Sequence, residues 1–158
     1  MGARLILIKK DQFYPGVEID KFIKKNPGSG GISSFVGIAR DFMFDNNGKK
    51  KSVTSIELEH YAGMAEKQIH KIVSDANSKW IVDDLLVIHR YGIILPEEPI
   101  VLICTASVHR KDAIKSCKFI IDFLKVEATF WKKEITNEDN HWVKANVQDE
   151  KEKNNWEI

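Results

Sequence analysis

Nine consecutive residues, Ile100–Val108 (IVLICTASV), are apolar or small at almost every position. A strand with one wet face would alternate, so this stretch belongs inside a sheet covered on both sides. Leu85–Tyr91 (LLVIHRY) reads as a second strand of the same sheet. Two segments have the period needed to cover them. Ala65, Ile69, Ile72, Val73, Ala76 and Trp80 stand at offsets 0, 4, 7, 8, 11 and 15, which is one face of a helix. Ala113, Cys117, Ile120, Ile121, Leu124 and Ala128 repeat those offsets.

The remaining chain fits an α+β domain spanning residues 1–158. Arg4–Lys9 is a short β-type run. Pro15 can open a helix with Val17, Ile19, Phe22 and Ile23 as its apolar stripe, closed by Asn26-Pro27-Gly28. Gly30–Arg40 (GGISSFVGIAR) resembles a strand in which Gly37 signals a bulge or a close backbone approach. Residues 41–52 form a polar excursion with a turn at Asp45-Asn46-Asn47-Gly48. Its Lys49-Lys50-Lys51 run is either solvated charge or part of a flap over an anionic site. Val53–Tyr61 follows as a strand expected to pair with Gly30–Arg40 across that loop. Phe130–Ile135 and His141–Val143 make a small C-terminal hairpin, and the charged tail of 148–158 frays or packs late.

A net charge of +1 over 158 residues argues against broad nucleic-acid binding. No run approaches the apolar length of a membrane span. Cys104 and Cys117 have no metal spacing and read as inert core thiols, consistent with a reducing cytoplasm. There is no GxxxxGK[ST] loop, no GxGxxG after a strand, no GxSxG elbow and no HExxH pair, so nucleotide cradles, metal centres and serine hydrolases lose their support.

What remains is cations and histidines at element ends. Thr105–Glu134 carries seven Lys or Arg against four Asp or Glu, a net +3, so the rest of the chain sums to −2. His109-Arg110 stands where a buried strand turns into a helix, whose N-terminus attracts anions. Either Arg110 binds a phosphate or carboxylate, or His109 and Ser107 cap the helix while Arg110 faces water. His89-Arg90 reads as an exposed strand-end pair. Arg40, ending a strand before the flap, is a phosphate candidate. Lys125 and Lys132 are candidate desolvated amines, Lys132 with its stem against Phe130 or Trp131. Lys125 has a plainer alternative as a cation complementing a helix C-terminus. Arg110 and Lys125 are fifteen residues apart on one helix, roughly 22 Å of rise. They either serve different sites, or a second subunit brings its His-Arg end to the first subunit's lysine end.

These residues in this order resemble the catalytic (large) subunit family of molybdopterin synthase. The segments that carry the resemblance are FVGIAR (Phe35–Arg40), LEHYAGMAEK (Leu58–Lys67), IHRYG (Ile88–Gly92), SVHRKDA (Ser107–Ala113) and DFLK…FWKKE (Asp122–Glu134). The resemblance implies an α+β fold of the α/β-hammerhead type, a mixed sheet with two long amphipathic helices, and a homodimer within a heterotetramer. It implies as partner a small ubiquitin-like carrier whose C-terminal thiocarboxylate donates sulfur to cyclic pyranopterin monophosphate, forming the dithiolene of molybdopterin. No cofactor or metal beyond that donor is implied. By position Lys125 and Lys132 correspond to the family's essential lysines, and Phe35, Arg40, His109 and Arg110 to its substrate pocket, built across the dimer. The sequence departs from the family pattern at Glu97-Glu98-Pro99, Glu127, Thr129 and Asn146, which bear on peripheral pocket contacts and partner affinity. The competing reading is a non-catalytic phosphate- or nucleotide-binding module, which would give the two lysines no chemical role.

Overall fold

The alternation within two strands sets the architecture. In β5 (Asp84–Arg90), Leu85 and Val87 point to one face and Leu86 and Ile88 to the other; in β7 (Pro99–Ser107), Val101 and Ile103 oppose Leu102, Cys104 and Ala106. Both faces are apolar, so both must be covered. The computed structural model, which describes residues 4–61, 63–127, 130–137, 140–143 and 147–156, shows how.

Helix α2 (Met64–Lys79) presents Ile69, Ile72, Val73 and Ala76 to the first face. Helix α3 (Arg110–Glu127) adds Cys117, Phe119, Ile120 and Leu124. Helix α1 (Pro15–Lys25) covers the second face through Phe22, joined by Phe13 from the preceding loop. Each fully buried Ile or Leu in these layers stabilises the fold by about 1.5–3 kcal/mol. The α1 stripe is narrower than expected, because Val17 and Ile23 are about half exposed and only Phe22 is fully buried. Ala128, the last position of the second helical stripe, lies outside the described residues.

The first sheet has the order β1-β5-β7-β2, with β1 (Arg4–Lys9) parallel to β5 and β2 (Gly31–Ile38) antiparallel to β7. This corrects one expectation: β2 pairs with β7, not with the strand that follows the flap. That strand, β4 (Lys50–His60), organises a second sheet. It carries β8 (Phe130–Thr136) on one edge, and β3 (Phe42–Phe44) and β6 (Gly92–Ile94) on the other; β9 (Asn140–Val143) extends β8. The loop of 41–52 is therefore a short hairpin, β3 against Lys50–Ser52, around the Asp45–Gly48 turn. Ala39, Val53, Ile56, Leu58 and Ile94 form a separate apolar cluster beneath it.

Of the two alternatives for the C-terminal tail, fraying or packing, the structure shows packing. Val147–Asn154 forms a helix, α4, docked on α3. Trp156 packs edge-on against Trp80 and Phe119 and donates its indole N–H to Asp122 at 2.7 Å. Lys118 bridges Asp122 and Glu152, and Lys153 pairs with Glu127 at 3.0 Å. Among the described residues no helix is long and apolar enough to cross a membrane.

Candidate active site

β2, remote in sequence, and the consecutive elements α3 and β8 meet at one cleft of about 580 Å³. β2 and the residues after it supply Phe35 and Arg40, the last turn of α3 supplies Lys125, and β8 supplies Phe130, Lys132 and Glu134. The strand period places those three β8 residues on one face, so Lys132 shares its side with Phe130 and not with Trp131. Gly37 lies on the cleft wall where β2 shifts register against β7; a Cβ there would sit 2.6 Å from Val101 Cγ1. The glycine expected to mark a bulge does so because a neighbouring side chain occupies that space.

Four of the six sequence-predicted residues, Phe35, Arg40, Lys125 and Lys132, thus line one cavity. His109 and Arg110 do not reach it. They open α3 at its other end, and both are exposed. There Ser107 Oγ accepts the His109 N–H at 3.3 Å and donates to Ile81 O at 2.7 Å, while the His109 carbonyl accepts from Asp112 and Ala113. Within a single chain this is helix capping, with Arg110 facing water.

The electrostatics of the cleft are those of gathered cations. Lys125 is exposed, its amine open to the cleft, and the protein crowded around it desolvates it in part. That desolvation lowers its pKa, Lys132 and Arg40 lower it further, and Asp149 of α4 opposes them. Lys132 Nζ lies 3.3 Å from the buried Glu134 carboxylate, with about a third of its side chain (34%) accessible. On the far side of Arg40 the hairpin supplies Phe42, over which the Arg40 guanidinium sits at 5.4 Å and the Lys50 amine at 4.4 Å.

Sequence reasoning placed His89-Arg90 at an exposed strand end, and the structure buries both, at 6% and 4% exposure. The His89 ring stacks on Phe130, centroids 3.8 Å apart and 14° from parallel, directly behind the cleft wall. Its Nδ1 donates to the Arg90 carbonyl at 2.8 Å, which leaves Nε2 as the lone-pair nitrogen of a neutral ring. Burial lowers its pKa to about 4, and the charges of Lys125 and His60 push the same way. His60, opposite Phe130 in the β4–β8 pairing, packs against Tyr91 at 4.4 Å; its buried Nδ1 has no partner among the described residues. Arg90 is neutralised by Glu98 at 3.0 Å. The sequence signal for this burial was slight: the pair continues an apolar strand without a break. Of the family departures, Glu127 pairs with Lys153, whereas Thr129 and Asn146 lie outside the described residues.

Comparison with known proteins decides the family. The model of the MoaE protein family matches residues 8–127. The chain belongs to the MoaE family. It is 44% identical over 153 residues to the molybdopterin synthase catalytic subunit of Ralstonia nicotianae, covering 97% of this chain and 84% of that one. The solved molybdopterin biosynthesis MoaE protein of Burkholderia ambifaria superposes with a TM-score of 0.79 at 38% identity, covering 99% of both chains. The fold also matches a chain in the complex of subunits 1 and 2 of the molybdopterin-converting factor of Helicobacter pylori, with a TM-score of 0.71. At 18% identity, over 88% of this chain and 90% of that one, this last likeness is one of fold alone.

Proposed function

We propose that the Lys125–Lys132 cleft is the sulfur-transfer site of a molybdopterin synthase. The observation that carries this is the convergence of Phe35, Arg40, Lys125 and Lys132 from three separate elements on one cavity, with the Lys125 amine held at a lowered pKa. A purely structural pair of surface lysines would have no reason to gather a third cation beside them. The same lowered pKa disfavours the anion-binding module, whose lysines need no chemical tuning.

Both reactants are anions. The donor is the C-terminal thiocarboxylate of a small ubiquitin-like carrier, and the acceptor, cyclic pyranopterin monophosphate, carries a cyclic phosphate. Desolvated cations placed where charge develops are the natural catalytic device for such a pair. Lys125 holds the donor carboxyl and the oxyanion that forms on it. Lys132, oriented by Glu134, acts at the pterin as proton donor or charge stabiliser. The carrier sulfur bonds to a substrate carbon and displaces an oxygen from it, which leaves as water or as the opened phosphate oxygen; water then cleaves the acyl–sulfur bond, leaving the sulfur on the pterin and returning the carrier to a carboxylate. Arg40 holds the phosphate. His109 and Arg110 complete that pocket from a second copy of the chain, since one α3 separates them from Lys125 by roughly 22 Å. The 44% identity to a molybdopterin synthase catalytic subunit supports the carrier as partner. The two buried free cysteines suit a cytoplasmic location; burial pushes the Cys104 thiol up to about 12, so it takes no part in the chemistry.

The test is reconstitution with thiocarboxylated carrier and cyclic pyranopterin monophosphate, reading molybdopterin by fluorescence after oxidation. Lys125→Ala and Lys132→Ala each reduce turnover by at least about 10²-fold, the scale on which loss of one preorganised charge donor is felt, with carrier binding retained. Full activity in either variant refutes its role. Sedimentation as a monomer at assay concentration refutes the composite phosphate pocket.

A further inference from the structure

We propose that the ion pair between buried Arg90 and partly exposed Glu98 is a positioning device for Arg40, and through it for the anionic substrate. The inference rests on the reading of Arg40 as the phosphate ligand.

β2 follows β7 in regular register as far as Gly37, opposite Val101, and then shifts so that Ile38 faces Pro99. The next residue is caught by the turn Leu95–Glu98 on both of its backbone groups. The Ala39 N–H donates to the Glu98 carbonyl at 2.9 Å, and the Ala39 carbonyl accepts from the Glu97 N–H at 2.8 Å. The Ala39 methyl is sealed in the cluster of Val53, Ile56 and Ile94. Arg40 therefore leaves for the cleft from a fixed point, and that point is only as fixed as the turn.

The turn does not hold itself by backbone preference. Glu97 sits at φ +73°, a left-handed conformation that a residue with a Cβ adopts at a cost. The turn's internal backbone bond runs from the Glu98 N–H to the Leu95 carbonyl at 3.1 Å, and the Glu98 carboxylate reinforces it, its Oε2 accepting the Leu95 N–H and an Arg90 Nη1–H, both at 3.0 Å. Arg90, its side chain 5% exposed, is anchored in turn by longer contacts to the carbonyls of Pro99 and Lys10 at 3.4 Å. The chain of support runs from the β5 end to the turn, from the turn to Ala39, and from Ala39 to Arg40. Neither Arg90 nor Glu98 lines the cleft, so they act through Arg40 or not at all.

The experiment is a double-mutant cycle on the reconstituted enzyme, with KM for the cyclic phosphate substrate and kcat measured separately. Arg40→Ala raises KM about 10–100-fold, the range for losing a charged hydrogen bond. Glu98→Ala raises KM about tenfold with kcat within about twofold, and in the Arg40→Ala background it adds less than about twofold, because the residue it positions is gone. Glu98→Gln, which keeps an acceptor but loses the charge, enters the same cycle if Glu98→Ala fails to fold. A tenfold effect of either variant that persists without Arg40 overturns the inference while leaving the Arg40 assignment intact. An unchanged KM in Arg40→Ala overturns the assignment itself, and the inference with it.

Discussion

His89 gives the structure a measurable acid sensitivity. In the unfolded chain its pKa is close to 6.5, and in the folded chain burial behind Phe130 holds it at about 4. The folded state therefore refuses a proton that the unfolded state accepts. Nothing is lost above pH 6.5, stability falls as pH drops from about 6.5 towards about 4, and the loss levels off below that. The full depression corresponds to about 3 kcal/mol, of which about 2 kcal/mol is already gone at pH 5. The groups facing the ring are Lys125 from α3 and His60 from β4, both of which oppose its protonation, and the Arg90 carbonyl, which favours the Nδ1 proton. Other groups also titrate on acidification, so the informative quantity is a difference. Urea unfolding of the parent and of His89→Gln, at equal protein concentration and at steps between pH 7.5 and pH 4, isolates it. The variant is less stable at pH 7.5 because the stack on Phe130 is lost, yet the gap narrows by about 2 kcal/mol at pH 5. Parallel stability curves over that range refute the assignment of a buried neutral imidazole.

Two further substitutions probe the frame of the site. Glu97→Gly relieves the left-handed strain at φ +73° and, after the entropy cost of glycine, raises stability by about 0.5–1 kcal/mol, whereas Glu97→Val lowers it by about 1 kcal/mol; thermal unfolding with the opposite order refutes the strain. Trp156→Ala removes the contact with Trp80 and Phe119 and the hydrogen bond to Asp122, and costs about 2 kcal/mol. An eight-residue α4 does not persist without docking, so amide exchange over 147–154 becomes fast in that variant, and unchanged protection refutes its dependence on Trp156.

The parts of the fold that were legible share one property: their signal is local. The doubly apolar β7 and the two six-position stripes of α2 and α3 announce themselves within their own windows. So does FWKKE, where alternation alone puts Phe130, Lys132 and Glu134 on one side. What was misread or left open depends on partners far along the chain. The partner of β2 was guessed from adjacency to the next strand, but sequential neighbours pair only as a tendency, and β7, more than sixty residues on, has the matching apolar face. α4 is charged at most positions and is held by a tryptophan beyond its own end and by ion pairs to Lys118 and Glu127 on α3. His89-Arg90 looked exposed because charged pairs usually are. Its burial follows from Phe130 and Glu98, neither of which a reading of IHRYG contains. Four of the six candidate residues share one cleft, and the placing of His109-Arg110 at the other end of α3 was legible from helix length alone.

That division has a consequence for how the cleft is built. Lys125, Lys132 and Arg40 repel one another, and the repulsion is part of what lowers the Lys125 pKa. Glu134 and Asp149 offset it only in part, the first beside Lys132 and the second from the rim. A cavity left with surplus positive charge in partial desolvation is stabilised most by an anion entering it, because the ligand removes a repulsion that folding alone has not relieved. Two monoanions must enter for the proposed reaction, and the three cations of the cleft, less the carboxylates of Glu134 and Asp149, leave only one surplus positive charge to meet them. The exposed His109-Arg110 end of α3 is a further reserve of the right sign, yet it cannot bend back along its own helix. Completing the site from a second chain solves both problems at once. It supplies the missing charge, and it leaves each α3 straight, with its buried face undisturbed against β2 and β7.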